Sequence, residues 1–157
     1  MIISQLRKEF PLDQAVKLAL AITKDDEIKQ CVANETSQAI EKAIYLAQDS
    51  ENPCPELIET LGAGWVAEEA LAISIYCALV ARDFAHGVLL AVNHSGDSDS
   101  TGAITGNLLG LIHGQKCIPL HWQEQVELRE VIEHMAFDLL DIPHNFYLDG
   151  NDEHHTQ

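Results

Sequence analysis

The sequence predicts an all-α protein, and three features of its 157 residues support that prediction. Apolar residues recur along most of the chain at the i, i+3, i+4, i+7 spacing of one helix face. No run alternates between apolar and polar residues as a half-buried strand would. Proline, glycine and acidic residues separate the apolar runs at the places where helices usually begin and end. A chain of this length suits one domain with a single core.

The helices are expected in the following order. The first follows Pro11, which suits a first helical turn, and the second spans about 25–48. A short helix over 56–61 ends at Gly62. The segment 66–81 is apolar on nearly every side, which predicts a buried helix. Three more helices are expected over 84–92, with Asp83 as its cap, over 101–112, and over about 123–140, whose apolar residues should face inward.

The chain is strongly acidic, with 25 Asp and Glu residues against 9 Lys and Arg and a net charge of −16. Such a surface repels nucleic acid and anionic membranes, so neither is an expected partner, whereas divalent cations are attracted. No apolar run approaches the ~20 residues of a membrane span, and the chain does not begin with a secretory signal. The four cysteines form no Cys-x-x-Cys pair, which favours reduced thiols in a cytoplasmic protein.

The most unusual segment is "NHSGDSDSTGAITGNLLG", residues 93–110. Asp97 and Asp99 lie two residues apart in a stretch whose Gly and Ser content disfavours helix, and in an extended stretch residues i and i+2 point the same way. Two carboxylates and the Ser100 hydroxyl could then face one hard cation, which prefers oxygen ligands. The simpler alternative is that Asp97 or Ser100 only caps the following helix.

That following helix carries glycine at every fourth position, at Gly102, Gly106 and Gly110. Glycine costs about 1 kcal/mol relative to alanine in a helix interior, so three glycines on one face need a structural reason. A face without side chains allows another helix backbone to approach closely. We expect this face to pack against the apolar helix over 66–81.

Two other chemistries of acidic loops fit the segment less well. An EF-hand calcium loop beginning at Asp97 would require a glutamate where the sequence has Leu108. A phosphatase of the haloacid-dehalogenase type would use Asp97 as nucleophile and Asp99 as acid, but that motif follows a buried apolar strand within a βαβ pattern. Here the preceding residues are Val92-Asn-His-Ser-Gly and the rest of the chain is predicted to be helical.

Three segments together resemble the ADP-ribosylglycohydrolase family, which includes the dinitrogenase reductase-activating glycohydrolases. "GDSDSTGAITGNLLG" (96–110) is similar to the carboxy-terminal motif of that family, Gly-Asp-Thr/Ser-Asp-Thr/Ser before a helix of small residues. "GAGWVAEEALAISIYCALVA" (62–81) resembles its glycine–aromatic turn and the helix that follows. "IPLHWQEQVE" (118–127) resembles its Ile-Pro…Trp segment. The resemblance extends from about residue 10 to residue 142.

The resemblance implies a compact multi-helix bundle that holds two divalent ions, Mg²⁺ or Mn²⁺. The implied activity is metal-dependent hydrolysis of the glycosidic bond between ADP-ribose and a modified protein side chain or small molecule. By position, Asp97, Asp99 and Ser100 match metal ligands. Trp65 matches an aromatic residue near the ADP-ribose site, although an indole there could equally pack in the core. Gly62, Gly64 and Gly96 would let substrate approach the backbone. His94 could contact substrate, although a histidine beside a loop more often has a structural role.

Family members are about twice this length. The chain is therefore expected to be the carboxy-terminal half of such a domain over 1–142, incomplete relative to the full fold, with a polar tail over 143–157. The amino-terminal motifs, including a Thr-Asp-Asp metal motif and the acidic residue assigned to catalysis, are missing. "TKDDE" (23–27) does not replace them, so no catalytic residue is identified in this chain.

A single turn cannot complete such a site, because three oxygens cannot hold two ions that each take about six ligands. A missing amino-terminal half or a second copy of the chain is therefore an expected partner, besides ADP-ribose or an ADP-ribosylated substrate. The alternative is a non-catalytic module from a split or truncated family member, which would bind ADP-ribose or another protein.

Overall fold

The computed structural model describes residues 1–24, 34–49 and 52–141, and within these ranges it contains helices and loops but no strand. The predicted all-α fold is confirmed. The chain divides into two compact units, residues 1–119 and residues 120–157. The predicted tail over 143–157 and the predicted start of the second helix lie outside the described residues.

In the described part of the first unit, the helices follow the predicted order with one addition. Pro11 directly precedes α2, where its fixed φ suits the start of a helix. The addition is α1, whose five residues are too few to show a helical period in sequence. In the described part of the first unit the α-helices are α1 (Ile2–Leu6), α2 (Leu12–Thr23), α3 (Asn34–Asp49), α4 (Pro55–Glu59), α5 (Ala67–Val80), α6 (Phe84–Val92) and α7 (Ser98–His113), followed by a 3-10 turn (Gln115–Cys117).

Helix α5 is the central element of the first unit. Its side chains from Ala72 to Ala78 are all buried, as its apolar sequence predicts, and α3, α6 and α7 pack around it. Other segments contribute the following buried residues to the same core: Val16, Ile40, Ala43, Ile58, Leu61 and Ala91. No helix in the described ranges is long and apolar enough to cross a membrane.

The glycine face of α7 packs against α6, and the prediction that it packs against α5 is wrong. A Cβ atom added at Gly102 would lie 2.6 Å from Val92 Cγ1, and one at Gly106 would lie 3.9 Å from Val88 Cγ2. A Cβ atom at Gly110 would meet nothing within 4 Å. Only the first glycine of this face therefore makes a close contact, at the end of α7 that carries the acidic turn.

The contact between α5 and α7 is polar at the start of α7. The buried Ser74 hydroxyl lies 2.7 Å from the Ala70 carbonyl oxygen and 3.2 Å from the Thr101 carbonyl oxygen, and both can accept from it. Thr101 belongs to the first turns of α7 and is fully buried. Because Gly102 is the next residue and therefore lies about 100° further around the helix, it faces α6.

Alanine substitutions at two helical glycines should change stability in opposite directions. A Cβ atom at the buried Gly87 would lie 2.5 Å from Leu109 Cδ1 and 2.8 Å from Ala81 Cβ. We expect Gly87→Ala to lower the free energy of unfolding by about 1–3 kcal/mol because the core there is already filled. Gly110→Ala should raise it by about 0.5–1 kcal/mol, since the new methyl group meets no neighbour. Urea unfolding of both variants measures the two changes, and equal shifts would contradict the packing described.

The second unit is described as far as Asp141 and contains α8 (Leu120–Gln125) and α9 (Arg129–Asp141). The prediction of one helix over about 123–140 is therefore wrong: the helix is interrupted before Arg129, where Leu128 has a φ of 57°. The Arg129 Nε atom donates to Glu133 Oε1 at 2.9 Å, one helical turn away. The apolar residues of α9 that the structure describes are not buried as predicted, and the exposed ones include Val131, Met135 and Leu139. The other described helix of this unit, α8, has six residues and is too short to cover the 13 residues of α9.

Candidate functional site

The acidic turn forms the amino-terminal end of α7. Asp97 is the residue directly before the helix, with φ −74° and ψ 76°, and Asp99 and Ser100 lie in the first turn. The helix begins at Ser98, three residues before the predicted start at Thr101. Acidic side chains favour this position, because the macrodipole places a partial positive charge at the amino-terminal end of a helix.

The carboxyl groups of Asp97 and Asp99 lie within hydrogen-bonding reach of each other. This hydrogen bond, followed by bonds from the backbone N–H groups of Ser100 and of Asp99 itself, holds the pKa of Asp99 below its ordinary value. The Asp97 side chain makes no capping hydrogen bond to the backbone. Capping by Asp97 therefore does not account for the pair, and two adjacent carboxylates repel each other unless a cation or a proton compensates.

A glycine turn, Gly62–Gly64, packs directly against the acidic turn. A Cβ atom added at Gly96 would overlap the Ala63 carbonyl group, lying 2.6 Å from its carbon. The Asp97 backbone N–H donates to the Ala63 carbonyl oxygen at 2.7 Å. A Cβ atom at the buried Gly64 would lie 3.5 Å from Asp97 Cβ. The two backbones therefore touch, with no side chain between them.

The backbone conformation and the packing at this junction explain why these three positions are glycine. Gly62 and Gly64 have φ values of +125° and +81°, which residues with a Cβ atom rarely adopt. Gly96 is required by its contact with Ala63. Whether the same three residues also let substrate approach the backbone stays a prediction.

His94 and Thr101 fix the other side of the acidic turn. The Thr101 hydroxyl lies 2.7 Å from the Ala91 carbonyl oxygen and 3.0 Å from that of Asp97. His94 is buried; its Nδ1 accepts from the Gly96 N–H at 3.0 Å and its Nε2 lies 2.9 Å from the Thr101 hydroxyl oxygen. In the neutral ring Nε2 then carries the proton and donates to Thr101. Both ring nitrogens are thus used inside the protein, and a contact of His94 with substrate stays a prediction.

Two glutamates that the sequence analysis did not single out hold these turns in place. Glu69 Oε2 accepts from the backbone N–H groups of Ala63 and Gly64, each at 3.0 Å. Glu59 Oε1 accepts from the Ser95 backbone N–H at 3.2 Å, across 36 residues of sequence. The available signal for Glu69 was an acidic residue in the first turn of an otherwise apolar helix, directly after a glycine turn.

Trp65 follows the glycine turn and is 73% exposed. The alternative that its indole packs in the core is therefore wrong. Val66, the next residue, is also exposed, so an apolar surface lies at the end of the turn that contacts Asp97. Exposed indole faces are suitable for stacking against planar ligands.

The sequence model of the ADP-ribosylglycohydrolase family matches residues 1–146. The chain belongs to the ADP-ribosylglycohydrolase family. One relative, an uncharacterized protein of Archaeoglobus fulgidus, is 29% identical over 119 residues, which make up 74% of this chain and 38% of the relative. Another, the ADP-ribosylarginine hydrolase Tri1 of Pseudomonas putida, is 30% identical over 79 residues, or 50% of this chain and 21% of the relative. The chain thus spans well under half the length of either relative, and no solved structure matches it.

The donor atoms of the acidic turn are of the kind that the predicted divalent-metal site requires. Two carboxyl groups within hydrogen-bonding reach, beside the Ser100 hydroxyl, present the oxygen ligands that Mg²⁺ and Mn²⁺ prefer. In the described ranges, no three His, Cys, Asp or Glu side chains are grouped so that they could hold an ion. The described part of the chain therefore offers at most a partial set of ligands for such a site.

Proposed function

We propose that this chain forms part of an ADP-ribosylglycohydrolase-type hydrolase, in which its acidic turn binds the metal. The reaction is metal-dependent cleavage of the glycosidic bond between ADP-ribose and a modified protein side chain or small molecule. The observation that carries the proposal is that the carboxyl groups of Asp97 and Asp99 lie within hydrogen-bonding reach of each other at the start of α7. The Asp97 carboxyl group does not cap the helix. Family membership over residues 1–146 supports the class of reaction.

Asp97, Asp99 and Ser100 would supply oxygen ligands to Mg²⁺ or Mn²⁺. A bound divalent ion acts as a Lewis acid and orients substrate hydroxyl groups and water. The carboxylates also place negative charge near the anomeric carbon, which stabilises the oxocarbenium-like state formed as the glycosidic bond breaks. Asp97 and Asp99 bind and orient in this proposal, and neither attacks the substrate.

The surface beside the acidic turn would hold the nucleotide. Trp65 offers an exposed indole on which adenine can stack. The Gly62–Gly64 turn itself carries no side chain larger than the Ala63 methyl group, which would let a ligand approach its backbone. His94 acts on the acidic turn in this proposal, since its two ring nitrogens are bonded to Gly96 and Thr101.

The remaining ligands would come from a partner. Two ions that each take about six ligands need more oxygen atoms than the acidic turn provides. We propose that the rest of a family domain, or a second copy of this chain, supplies them.

The cysteines Cys54, Cys77 and Cys117 are free, which agrees with a cytoplasmic location. Burial raises the pKa of Cys77 to about 12, so that thiol is unsuited to act as a nucleophile.

The second candidate function is an ADP-ribose-binding module without catalysis. Two observations favour it: the described residues hold no complete metal-binding group, and Trp65 is exposed where a nucleotide could stack. Such a module would bind ADP-ribose equally well with and without a divalent ion. The two functions therefore differ in a measurable linkage between metal and nucleotide.

Binding of Mn²⁺ and ADP-ribose to the full chain tests the proposal. Mn²⁺ broadens the NMR signals of nearby amides even when it binds weakly, so we expect selective broadening of the amides of residues 97–100. ADP-ribose should then bind more tightly in the presence of Mg²⁺. Uniform broadening along the chain would contradict the metal site, and metal-independent nucleotide binding would favour the module. ADP-ribosylarginine, which the name of the Pseudomonas putida relative specifies, is the first substrate to assay with the partner present.

Trp65→Ala should weaken ADP-ribose binding by about 1–3 kcal/mol, the usual contribution of an aromatic ring stacked on a base. Stability should change little, because the indole is exposed. The control is Tyr45→Ala on α3, which removes an aromatic ring that is 68% exposed. Calorimetry with ADP-ribose compares the two variants, and equal affinities would remove Trp65 from the proposed site.

A further inference from the structure

The Glu69 side chain fills the concave side of the glycine turn. Its Oε2 atom accepts from the N–H groups of both Ala63 and Gly64, each at 3.0 Å. A Cβ atom added at Gly62 would lie 2.7 Å from its Oε1 atom. One carboxylate thus contacts all three residues of the turn, and hydrogen bonds from backbone N–H groups to a charged acceptor are stronger than those to a neutral one.

One peptide group connects Glu69 to Asp97. The peptide between Ala63 and Gly64 donates through the Gly64 N–H to Glu69, and it accepts through the Ala63 carbonyl oxygen from the Asp97 N–H at 2.7 Å. In a trans peptide the N–H and the C=O point in opposite directions within one plane. The direction of the bond to Glu69 therefore sets the position of the oxygen that holds Asp97, and hydrogen bonds in such a chain strengthen one another.

The glycine turn needs an external acceptor to adopt one conformation. Gly62 and Gly64 have positive φ values, and glycine has the widest choice of backbone conformations of any residue. The Ala63–Gly64 peptide could therefore rotate if its N–H lost its partner. Asp97 would then lose the acceptor of its backbone N–H, directly before the first turn of α7.

We propose that Glu69 is a positioning residue for the acidic turn, acting through the Ala63–Gly64 peptide on Asp97. This inference rests on the proposed function, because the quantity that it affects is metal binding by Asp97 and Asp99. Glu69 contacts the glycine turn and not the reacting atoms. Its carboxylate fixes the backbone of Asp97, and through it the separation of the two carboxyl groups that face the ion.

Three substitutions test this role in the full chain. Glu69→Ala removes the acceptor, Glu69→Asp keeps the charge but shortens the side chain by one methylene, and Glu69→Gln keeps an oxygen acceptor without the charge. Glu68→Ala is the matched control, because Glu68 lies in the same first turn of α5. The measurements are Mn²⁺ affinity from amide broadening, hydrogen exchange of the Asp97 amide, and thermal unfolding.

We expect Glu69→Ala and Glu69→Asp to weaken Mn²⁺ binding about tenfold and to speed Asp97 amide exchange by a similar factor. Glu69→Gln should stay within about twofold of the wild type, since its amide oxygen can accept both N–H groups. Glu68→Ala should behave as the wild type. A purely structural role would lower the unfolding temperature without changing Mn²⁺ affinity, and that result would overturn the proposal.

Hydrogen exchange separates this inference from the proposed function. If the wild-type chain binds no Mn²⁺, the proposed function fails. The effect of Glu69 on the backbone of Asp97 is then tested by hydrogen exchange of the Asp97 amide alone. Faster exchange of the Asp97 amide in Glu69→Ala or Glu69→Asp, restored in Glu69→Gln, would still support it. Unchanged exchange in both shortened variants would overturn it.

Discussion

Gly96→Ala is expected to separate the acidic turn from the glycine turn. The added methyl group would overlap the Ala63 carbonyl group, whose carbon would lie 2.6 Å away. The obstacle is backbone, so no side-chain rotation can relieve it. We expect a loss of about 3 kcal/mol or more in the free energy of unfolding, at the upper end of overpacking effects. The hydrogen bond between the Asp97 N–H and the Ala63 carbonyl oxygen should break as the turns move apart.

The control for this substitution is Gly106→Ala in α7, where the new Cβ atom would lie 3.9 Å from Val88 Cγ2, an ordinary contact distance. Urea unfolding gives the free energies, and amide exchange at Asp97 reports the junction directly. If Gly96→Ala and Gly106→Ala differ by less than about 0.5 kcal/mol, the close contact between the turns does not exist in solution.

The helices were predictable because their signals are local. The all-round apolar sequence over 66–81 predicted a buried helix, and α5 is buried along most of its length. Helix α7 begins three residues before its predicted start, because the Gly and Ser residues of this segment have low helix propensity and predict a loop. The preference of acidic residues for the amino-terminal end of a helix outweighs that propensity, so the helix begins at Ser98, directly after Asp97 and with Asp99 in its first turn.

Which helix packs against which face was not predictable. The helical spacing of apolar residues or glycines identifies the face that packs, but not the helix that packs against it. The glycine face of α7 illustrates this: Gly102 contacts Val92 of α6, whereas α5 bonds to α7 through Ser74. The same holds for Trp65. An indole can pack in a core or form part of a ligand-binding surface, and its exposure follows only from the folded structure.

The candidate site was predictable in its acidic residues and not in their supports. Asp97 and Asp99 are singled out by their spacing and by the resemblance, but the extended stretch expected for them is wrong, because Asp99 lies in the first turn of α7. That the two residues bind a metal stays a prediction. The bonds that hold the turn join residues far apart in sequence, as from Ser95 to Glu59, or use backbone groups that every residue carries. Such contacts leave no mark in the residue pattern of one sequence.

Asp97→Asn and Asp99→Asn are each expected to weaken Mn²⁺ binding by about 100-fold or more. Loss of a metal ligand should reduce the affinity more than loss of a residue such as Glu69 that only positions the ligand. The double variant should show no selective broadening of amides 97–100. Stability should change little, because a single charge at the amino-terminal end of a helix contributes only modestly. Asp13→Asn on α2 removes one exposed carboxylate elsewhere and is the control.

The same variants test the chemistry wherever the chain takes part in turnover. With the partner that completes the site, Asp97→Asn/Asp99→Asn should abolish metal-dependent release of ADP-ribose, and added Mg²⁺ should not restore it. The effects of the single variants should not add, because the two groups hold one ion together. A double variant that releases ADP-ribose at the wild-type rate would remove Asp97 and Asp99 from the proposed metal site. Loss of turnover with unchanged unfolding would instead identify them as the groups that hold the ion.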